Sequence, residues 1–211
     1  MIDFSKDGVL KAIYPYIKNK DVLDVGCVEH DINRMHKERI WVHDFLREHT
    51  KHVTGIDILK EDVKILQKQG YDVYCQSAES FTFKKKFDVI FAGELIEHLS
   101  NPGLFLQQCK KHLKEKGKLI ITTPNAFSLK RIVETIIKYN NNPTVNKEHT
   151  TWFSPTVLIE ICRRYNFKPV KINYFDFPSI DKKIIKKLVK ILSSIIGLKF
   201  KETMFLVLKR N

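Results

Sequence analysis

Val22-Leu-Asp-Val-Gly-Cys-Val-Glu-His30 is the most informative segment of this chain. It begins as a short run of apolar and β-branched residues, which is typical of a buried strand, and then enters a turn with one glycine. Gly26 lets the backbone pass close to a ligand at a point where a side chain would collide. A dinucleotide site requires three glycines around its pyrophosphate, and only the first is present here. The segment therefore indicates a ligand-binding turn of a kind that does not bind NAD.

On both sides of this turn, β-branched apolar runs alternate with longer segments of helical period, which predicts a parallel sheet covered by helices on both faces. The predicted strands are Val22–Val25, Val53–Ile56, Asp72–Cys75, Asp88–Ala92, Lys118–Thr122, Lys168–Phe175 and Thr203–Leu208. The predicted helices are Lys6–Ile17, Glu38–His49, Lys60–Gln69, Pro102–Lys114, Leu129–Lys138, Pro155–Tyr165 and Lys182–Ile196. We therefore expect an α/β fold: a doubly wound, mostly parallel, seven-stranded Rossmann-like sheet with an antiparallel edge strand.

The composition fits one globular domain, because the chain has 211 residues and 43% of them are hydrophobic. Met1–Lys20 mixes charges among its apolar positions, and no apolar run is long enough to span a membrane, so we expect a cytoplasmic protein without a signal peptide or transmembrane segment. The formal charge of +13 has two interpretations: an anionic partner such as RNA, a phosphorylated glycan or a membrane surface, or scattered solvated lysines. The four cysteines lie far apart in the sequence and form no C-x-x-C pair, so neither a zinc site nor a disulfide framework is predicted. They are Cys27, Cys75, Cys109 and Cys162.

The turn after the first strand resembles motif I of class I S-adenosylmethionine-dependent methyltransferases, in which an acidic residue precedes glycines at alternate positions. Asp24 and Gly26 match this motif, whereas Val28 and His30 replace its second and third glycines. The resemblance implies that Asp24 pairs with the amino group of S-adenosylmethionine and that Gly26 and Cys27 also contact the cofactor. The replaced glycines motivate an alternative, in which the chain is a methyltransferase-like partner subunit that has lost catalysis.

Two later strand ends extend the resemblance. Asp57 closes Gly55-Ile-Asp57, where a carboxylate can accept hydrogen bonds from both ribose hydroxyls, although capping the next helix would explain it as well. Gln76-Ser-Ala-Glu-Ser80 is similar to the family's adenine-binding turn. The similarity covers roughly residues 21–167, and we identify residues 1–211 as a single class I methyltransferase domain. It implies further cofactor contacts from Ile58, Ser77, Ala78, Glu79 and Gly93.

Glu94, Glu97 and His98 follow the fourth strand at positions i, i+3 and i+4, so a helix beginning there would place them on one face. With His149 they form a pattern, E-x-x-E-H then T-P-N then H-x-x-W, that resembles small-RNA 2′-O-methyltransferases, in which such residues bind metal. It also resembles ubiquinone-pathway and polysaccharide-associated O-methyltransferases. Three interpretations stay open: all four residues bind a divalent cation such as Mn²⁺, Mg²⁺ or Fe²⁺; Glu97, His98 and His149 act in catalysis, with a histidine as base; or the residues are structural.

The expected function is methylation of a hydroxyl on a sugar, glycan or other small metabolite, with S-adenosylmethionine as donor. In the metal interpretation, the cation lowers the pKa of the acceptor hydroxyl. RNA 2′-O-methylation is the alternative. Trp152 and Phe153 either stack on the acceptor or belong to the core. Tyr139–Thr151 is either a lid or a plain surface connection. The basic amphipathic segment 182–196 either docks on the sheet or makes peripheral contact with an anionic membrane.

Overall fold

The computed structural model describes residues 7–28, 41–132, 146–175 and 201–211. Its strands are β1 Asp21–Val25, β2 His52–Asp57, β3 Val73–Cys75, β4 Phe87–Gly93, β5 Leu113–Pro124, β6 Phe167–Phe175 and β7 Thr203–Arg210. Its α-helices are α1 Gly8–Ile17, α2 Val42–His49, α3 Lys60–Lys68, α4 Pro102–His112 and α5 Pro155–Arg164, and a 3₁₀ turn spans Ile96–His98.

The strands form one sheet in the order β3-β2-β1-β4-β5-β7-β6. Strands β1 to β5 pair in parallel, whereas β7 pairs antiparallel with both β5 and the edge strand β6. The predicted doubly wound sheet, mostly parallel and with an antiparallel edge pairing, is confirmed. The chain moves outward from β1 to β3 and then returns to β4 on the other side of β1. This reversal opens a crevice beyond the carboxyl ends of β1 and β4, which is where ligands of such sheets bind.

Helices cover both faces of the sheet because each presents an apolar stripe to it. On one face, Leu10 and Ile13 of α1 pack with Phe45 and Leu46 of α2 against the strands. On the other, α4 and α5 contribute a second cluster that includes Phe105, Leu106, Leu158 and Cys162. The apolar side chains that sequence periodicity assigned to the interior therefore form two layers of core, one above and one below the sheet.

Two helices begin with the same device, an N-cap side chain followed by proline. Asn101 accepts a hydrogen bond from the Leu104 amide at 3.1 Å, and Ser154 accepts one from the Val157 amide at 3.3 Å. Each proline occupies the first turn, where its missing N–H would have no partner in the helix anyway. These caps fix where α4 and α5 start, close to the carboxyl ends of the strands.

Some predicted boundaries shift. The predicted helix Pro102–Lys114 ends at His112, because β5 begins directly at Leu113 without an intervening loop. Residues 129–132 are helical as predicted, while the rest of Leu129–Lys138, most of Tyr139–Thr151 and all of Lys182–Ile196 lie outside the described residues. Among the helices of the described ranges, none combines the length and the apolar character that a membrane span requires.

Replacing Asn101 by alanine is expected to destabilise the protein by about 1 kcal/mol, because the amide of Leu104 loses its capping acceptor. In a domain of this size that loss lowers the Tm by about 2–4 °C. Thermal unfolding followed by circular dichroism measures it. Ser100→Ala, at the exposed neighbouring position, is the control and should leave the Tm unchanged; equal effects of the two variants would argue against the cap.

Candidate active site

The turn that follows β1 folds back onto the end of β2. The amides of Gly26 and Cys27 both donate to the carbonyl of Ile56, at 2.8 and 3.2 Å. Gly26 has a φ of +78°, and a Cβ at this position would lie 3.0 Å from the Leu95 side chain. A larger residue would therefore be strained in its backbone and crowded by its neighbour, so the sequence places its one turn glycine where the chain requires it.

Asp57 joins the ends of the first two strands. Its Oδ2 accepts a hydrogen bond from the Val28 amide at 2.9 Å, and its Oδ1 accepts one from the Leu59 amide at 3.0 Å. The residue is only 8% exposed, and this burial raises the pKa of its carboxyl although the amide donors oppose the change. The structure thus confirms a local bonding role, while a contact with ribose stays a prediction that the remaining lone pairs of both oxygens permit.

The turn at 76–80 is attached to the end of β2, because the Gln76 amide donates to the Asp57 carbonyl at 3.0 Å. Ser77 closes it: its carbonyl accepts from the Ser80 amide and its hydroxyl from the Glu79 amide. The carboxylate of Glu79 in turn accepts from the Asn101 amide at 2.8 Å, which ties the turn to the start of α4.

The other predicted cofactor residues lie along the same edge of the sheet. Ala78 packs into the core with 7% exposure, whereas Ile58 is 69% exposed. Cys27 is buried, and burial raises the pKa of its thiol far above the usual range, so the thiol stays neutral. A Cβ at Gly93 would lie 2.9 Å from the ring of Phe91, so the end of β4 has no room for a larger residue unless that ring moves.

Asp24 has a partner that the sequence analysis missed. Its Oδ2 lies 2.8 Å from Nδ1 of His43 on α2, and the two residues are 3% and 1% exposed. They stand 19 positions apart in different elements, so no short motif joins them. An informative signal was available, since His43 interrupts the apolar stripe of a helix that packs directly on β1.

The residues after β4 do not form the expected α-helical face. Glu94 has a φ of +48° and belongs to the turn that leaves the strand, where its amide donates to the carbonyl and hydroxyl of Thr122. Ile96–His98 then forms a 3₁₀ turn, which has about three residues per turn. The prediction that Glu94, Glu97 and His98 share one face of a helix is therefore wrong in its geometry.

Glu97 nevertheless organises the site. Its Oε2 accepts from the Thr123 hydroxyl at 2.8 Å, and its backbone carbonyl accepts from the amides of Thr150 and Thr151 at 2.8 and 3.2 Å. The Thr150 hydroxyl also bonds the Leu99 carbonyl at 2.7 Å. These bonds bring His149 to the 3₁₀ turn, with its ring centroid 4.6 Å from that of His98.

Glu97, His98 and His149 each offer one ligand atom within 4.8 Å of the others, a group able to hold a metal ion. Glu94, the fourth predicted ligand, lies outside this group. Oε1 of Glu94 and Oε1 of Glu97 are buried and have no hydrogen-bond partner within the described part of the chain. Burial raises the pKa of both carboxyls, and the charge of Glu97 raises that of Glu94 further. In the absence of a cation, both carboxyls therefore hold their protons more tightly than exposed glutamates do.

Comparison with known proteins fixes the class. Residues 5–172 match a family described as a methyltransferase domain. The chain belongs to this family. A ubiquinone biosynthesis O-methyltransferase of Pelagibacter ubique is 27% identical over 192 residues, which are 83% of this chain and 73% of that protein. A malonyl-[acyl-carrier protein] O-methyltransferase of Haemophilus influenzae is 26% identical over 70% of this chain, which spans 55% of that relative.

Solved structures of other methyltransferases have the same fold as this protein. A SAM-dependent methyltransferase of Archaeoglobus fulgidus superposes with a TM-score of 0.65 over 96% of this chain and 91% of the other, at 20% identity. The 1,6-didemethyltoxoflavin-N1-methyltransferase of Burkholderia thailandensis, solved with S-adenosylhomocysteine, superposes with a TM-score of 0.60 over 99% of this chain and 81% of the other, at 15% identity. With the family assignment, the predicted class is confirmed: the protein is a SAM-dependent methyltransferase.

Glu94→Gln is expected to reduce the pH dependence of thermal stability. Because the pKa of Glu94 is raised in the folded protein, that state keeps a proton that the unfolded chain releases, so the free energy of unfolding falls as pH rises from the ordinary glutamate range through the raised pKa. In metal-free buffer we expect the Tm decrease from about pH 5 to about pH 8 to be at least about 2–4 °C smaller in the variant, because a raise of even one pKa unit corresponds to about 1.4 kcal/mol.

Differential scanning calorimetry measures this slope. Glu115→Gln removes an exposed carboxylate and should keep the wild-type slope. A wild-type slope in Glu94→Gln as well would show that Glu94 ionises normally in the folded state.

Proposed function

We propose that this methyltransferase transfers a methyl group to a hydroxyl of a sugar, glycan or other small metabolite, and that a divalent cation assists the transfer. The observation that carries the proposal is the group of Glu97, His98 and His149, whose ligand atoms lie within 4.8 Å of one another. Beside it, one buried carboxylate oxygen of Glu97 and one of Glu94 have no hydrogen-bond partner in the described ranges. A cation bound there would compensate their charge.

The chemistry of methyl transfer gives such a cation a purpose. An alcohol is a poor nucleophile until its proton is weakened, and it must lie in line with the bond that breaks. A cation bound to the acceptor oxygen would lower the pKa of the hydroxyl and orient it. Two imidazoles and carboxylate favour Mn²⁺, Fe²⁺ or Co²⁺ over Mg²⁺ on grounds of ligand softness, although Mg²⁺ also takes carboxylates.

An aromatic surface beside these residues suits a ring-shaped acceptor. The ring centroid of Trp152 lies 6.1 Å from that of His149, and the guanidinium of Arg131 lies 4.3 Å from the Trp152 centroid. Trp152 is half-buried, whereas its neighbour Phe153 is 2% exposed and belongs to the core. Trp152 is therefore the better candidate to stack on a sugar or aromatic ring, with Arg131 polarising its face.

Two similar proteins transfer methyl groups to oxygen according to their names, those of the ubiquinone pathway and of malonyl-[acyl-carrier protein]. This supports O-methylation over N- or C-methylation. The cofactor would bind along the opposite side of the crevice, against the residues that the family resemblance assigns to it: Asp24, Gly26, Cys27, Asp57, Ile58, Ser77, Ala78, Glu79 and Gly93.

RNA 2′-O-methylation is the second candidate, favoured by the formal charge of +13 and by the same group of metal-ligand residues. An RNA acceptor would make binding fall steeply with salt, because each neutralised phosphate releases a counterion. A small glycan or metabolite acceptor predicts weak salt dependence. Filter binding of a short RNA at increasing salt, with the residual methylation measured in parallel, separates the two.

Asp57→Ala should weaken the binding of S-adenosylhomocysteine about tenfold or more, because two ribose hydroxyls lose their acceptor. Isothermal titration calorimetry measures the affinity, well below the Tm of each variant, since Asp57 also bonds two backbone amides. Glu61→Ala on the exposed side of α3 is the control. Unchanged affinity in Asp57→Ala would refute the ribose role.

Glu97→Gln should abolish the binding of Mn²⁺ and the metal-dependent part of turnover, because the variant loses a charged ligand. After chelator treatment, calorimetric titration of Mn²⁺ into the wild-type protein should show one site, with higher affinity as pH rises and the raised carboxyl pKa values are passed. Glu115→Gln should bind Mn²⁺ like the wild type. If S-adenosylhomocysteine binds but Mn²⁺ does not, the reaction uses a histidine base instead.

A further inference from the structure

We propose that His43 is a positioning residue for the cofactor, which holds the Asp24 carboxylate in the orientation that receives the amino group of S-adenosylmethionine. The inference rests on the proposed cofactor role of Asp24. It concerns a residue on α2, outside the motif segments, and it starts from the hydrogen bond of 2.8 Å between Nδ1 of His43 and Oδ2 of Asp24.

The proposed role sets the direction of the bond. A carboxylate that receives an amino group is ionised and only accepts hydrogen bonds, so in this role Nδ1 of His43 carries the proton and donates it. Both side chains are almost completely buried, and in such surroundings a carboxylate without a donor is costly. His43 therefore satisfies one oxygen of Asp24, and the other oxygen is the one that a ligand amino group would meet at the carboxyl end of β1.

The imidazole ring is held in place by its neighbours. The rings of Trp41 and Tyr71 lie 5.2 and 5.9 Å from it, measured between centroids. From the adjacent strand, Gly55 approaches so closely that a Cβ there would lie 2.8 Å from Cε1 of His43. These contacts restrict the ring, so in the proposed role the carboxylate of Asp24 is oriented before any ligand arrives, which reduces the ordering cost on binding.

The second ring nitrogen shows that general packing does not explain a histidine here. Nε2 of His43 is buried and has no hydrogen-bond partner among the residues that the structure describes. A buried polar atom left in this state costs stability, and a purely apolar side chain at position 43 would avoid the cost. What histidine adds at this position is the bond from Nδ1 to Asp24.

A matched pair of variants tests the inference. In His43→Asn the amide nitrogen takes the place of Nδ1, whereas in His43→Gln it takes the place of Nε2. The probes are S-adenosylhomocysteine and its deamino analogue, in which hydrogen replaces the amino group, and calorimetry gives the affinity for each. We expect His43→Gln to bind S-adenosylhomocysteine about tenfold more weakly and the analogue unchanged, while His43→Asn keeps most of the wild-type preference for the amino group.

An undiminished preference for the amino group in His43→Gln would overturn the inference, whether both ligands lose affinity equally, which means a structural role alone, or neither loses affinity. If His43→Gln does not fold, His43→Asn decides, because loss of the preference there contradicts the positioning role. The variant Asp24→Asn tests the cofactor role of Asp24 separately from the positioning role of His43. A wild-type preference in Asp24→Asn would refute the cofactor role of Asp24, whereas a loss in Asp24→Asn without one in His43→Gln would refute only the role of His43.

Discussion

The arrangement of this protein's crevice depends on the cost of burying carboxylates. Four of them, Asp24, Asp57, Glu94 and Glu97, stand at or just after the carboxyl ends of β1, β2 and β4. Away from water, each needs donors, and the surrounding backbone supplies them where it can. The loop after β1 curls toward β2 because the Val28 amide bonds Asp57. Thr123 of β5 donates a hydrogen bond to one oxygen of Glu97. The other oxygen has no hydrogen-bond donor among the described residues, and this is the basis for proposing a cation there.

Most of the fold was predictable because it follows from short-range patterns. Buried parallel strands are predicted by β-branched runs such as Val22–Val25, and the starts of α4 and α5 by Pro102 and Pro155 at the first helical position. Hydrophobic periodicity does not predict a change from helix to strand when no turn or loop residues separate the two elements. The passage from α4 into β5 at Leu113 has no loop to mark it. The left-handed backbone of Glu94 is equally hidden, because glutamate rarely adopts it and nothing in the local sequence demands it.

The cofactor half and the acceptor half of the site differ in how much of their geometry the sequence alone predicts. The cofactor half uses consecutive strand ends, so order along the chain translates directly into neighbourhood in space. On the acceptor side, Thr150 bonds Glu97 across 53 residues, and that contact was foreseeable only through resemblance to a family pattern. His43 belongs to neither case: it bonds Asp24 across the interface of a helix and a strand, and tertiary packing alone brings the two together.

The four hydrogen-bond contacts that Thr150 and Thr151 make to the backbone after β4 have a thermodynamic consequence. They join two segments whose only covalent link runs through the rest of the domain, and each is worth about 0.5–1.5 kcal/mol. Breaking them would withdraw His149 from Glu97 and His98 while the sheet stayed folded, a local opening that costs far less than global unfolding. Any ligand that bridges the three side chains therefore adds its binding free energy to the closed form alone, and site assembly becomes linked to ligand concentration.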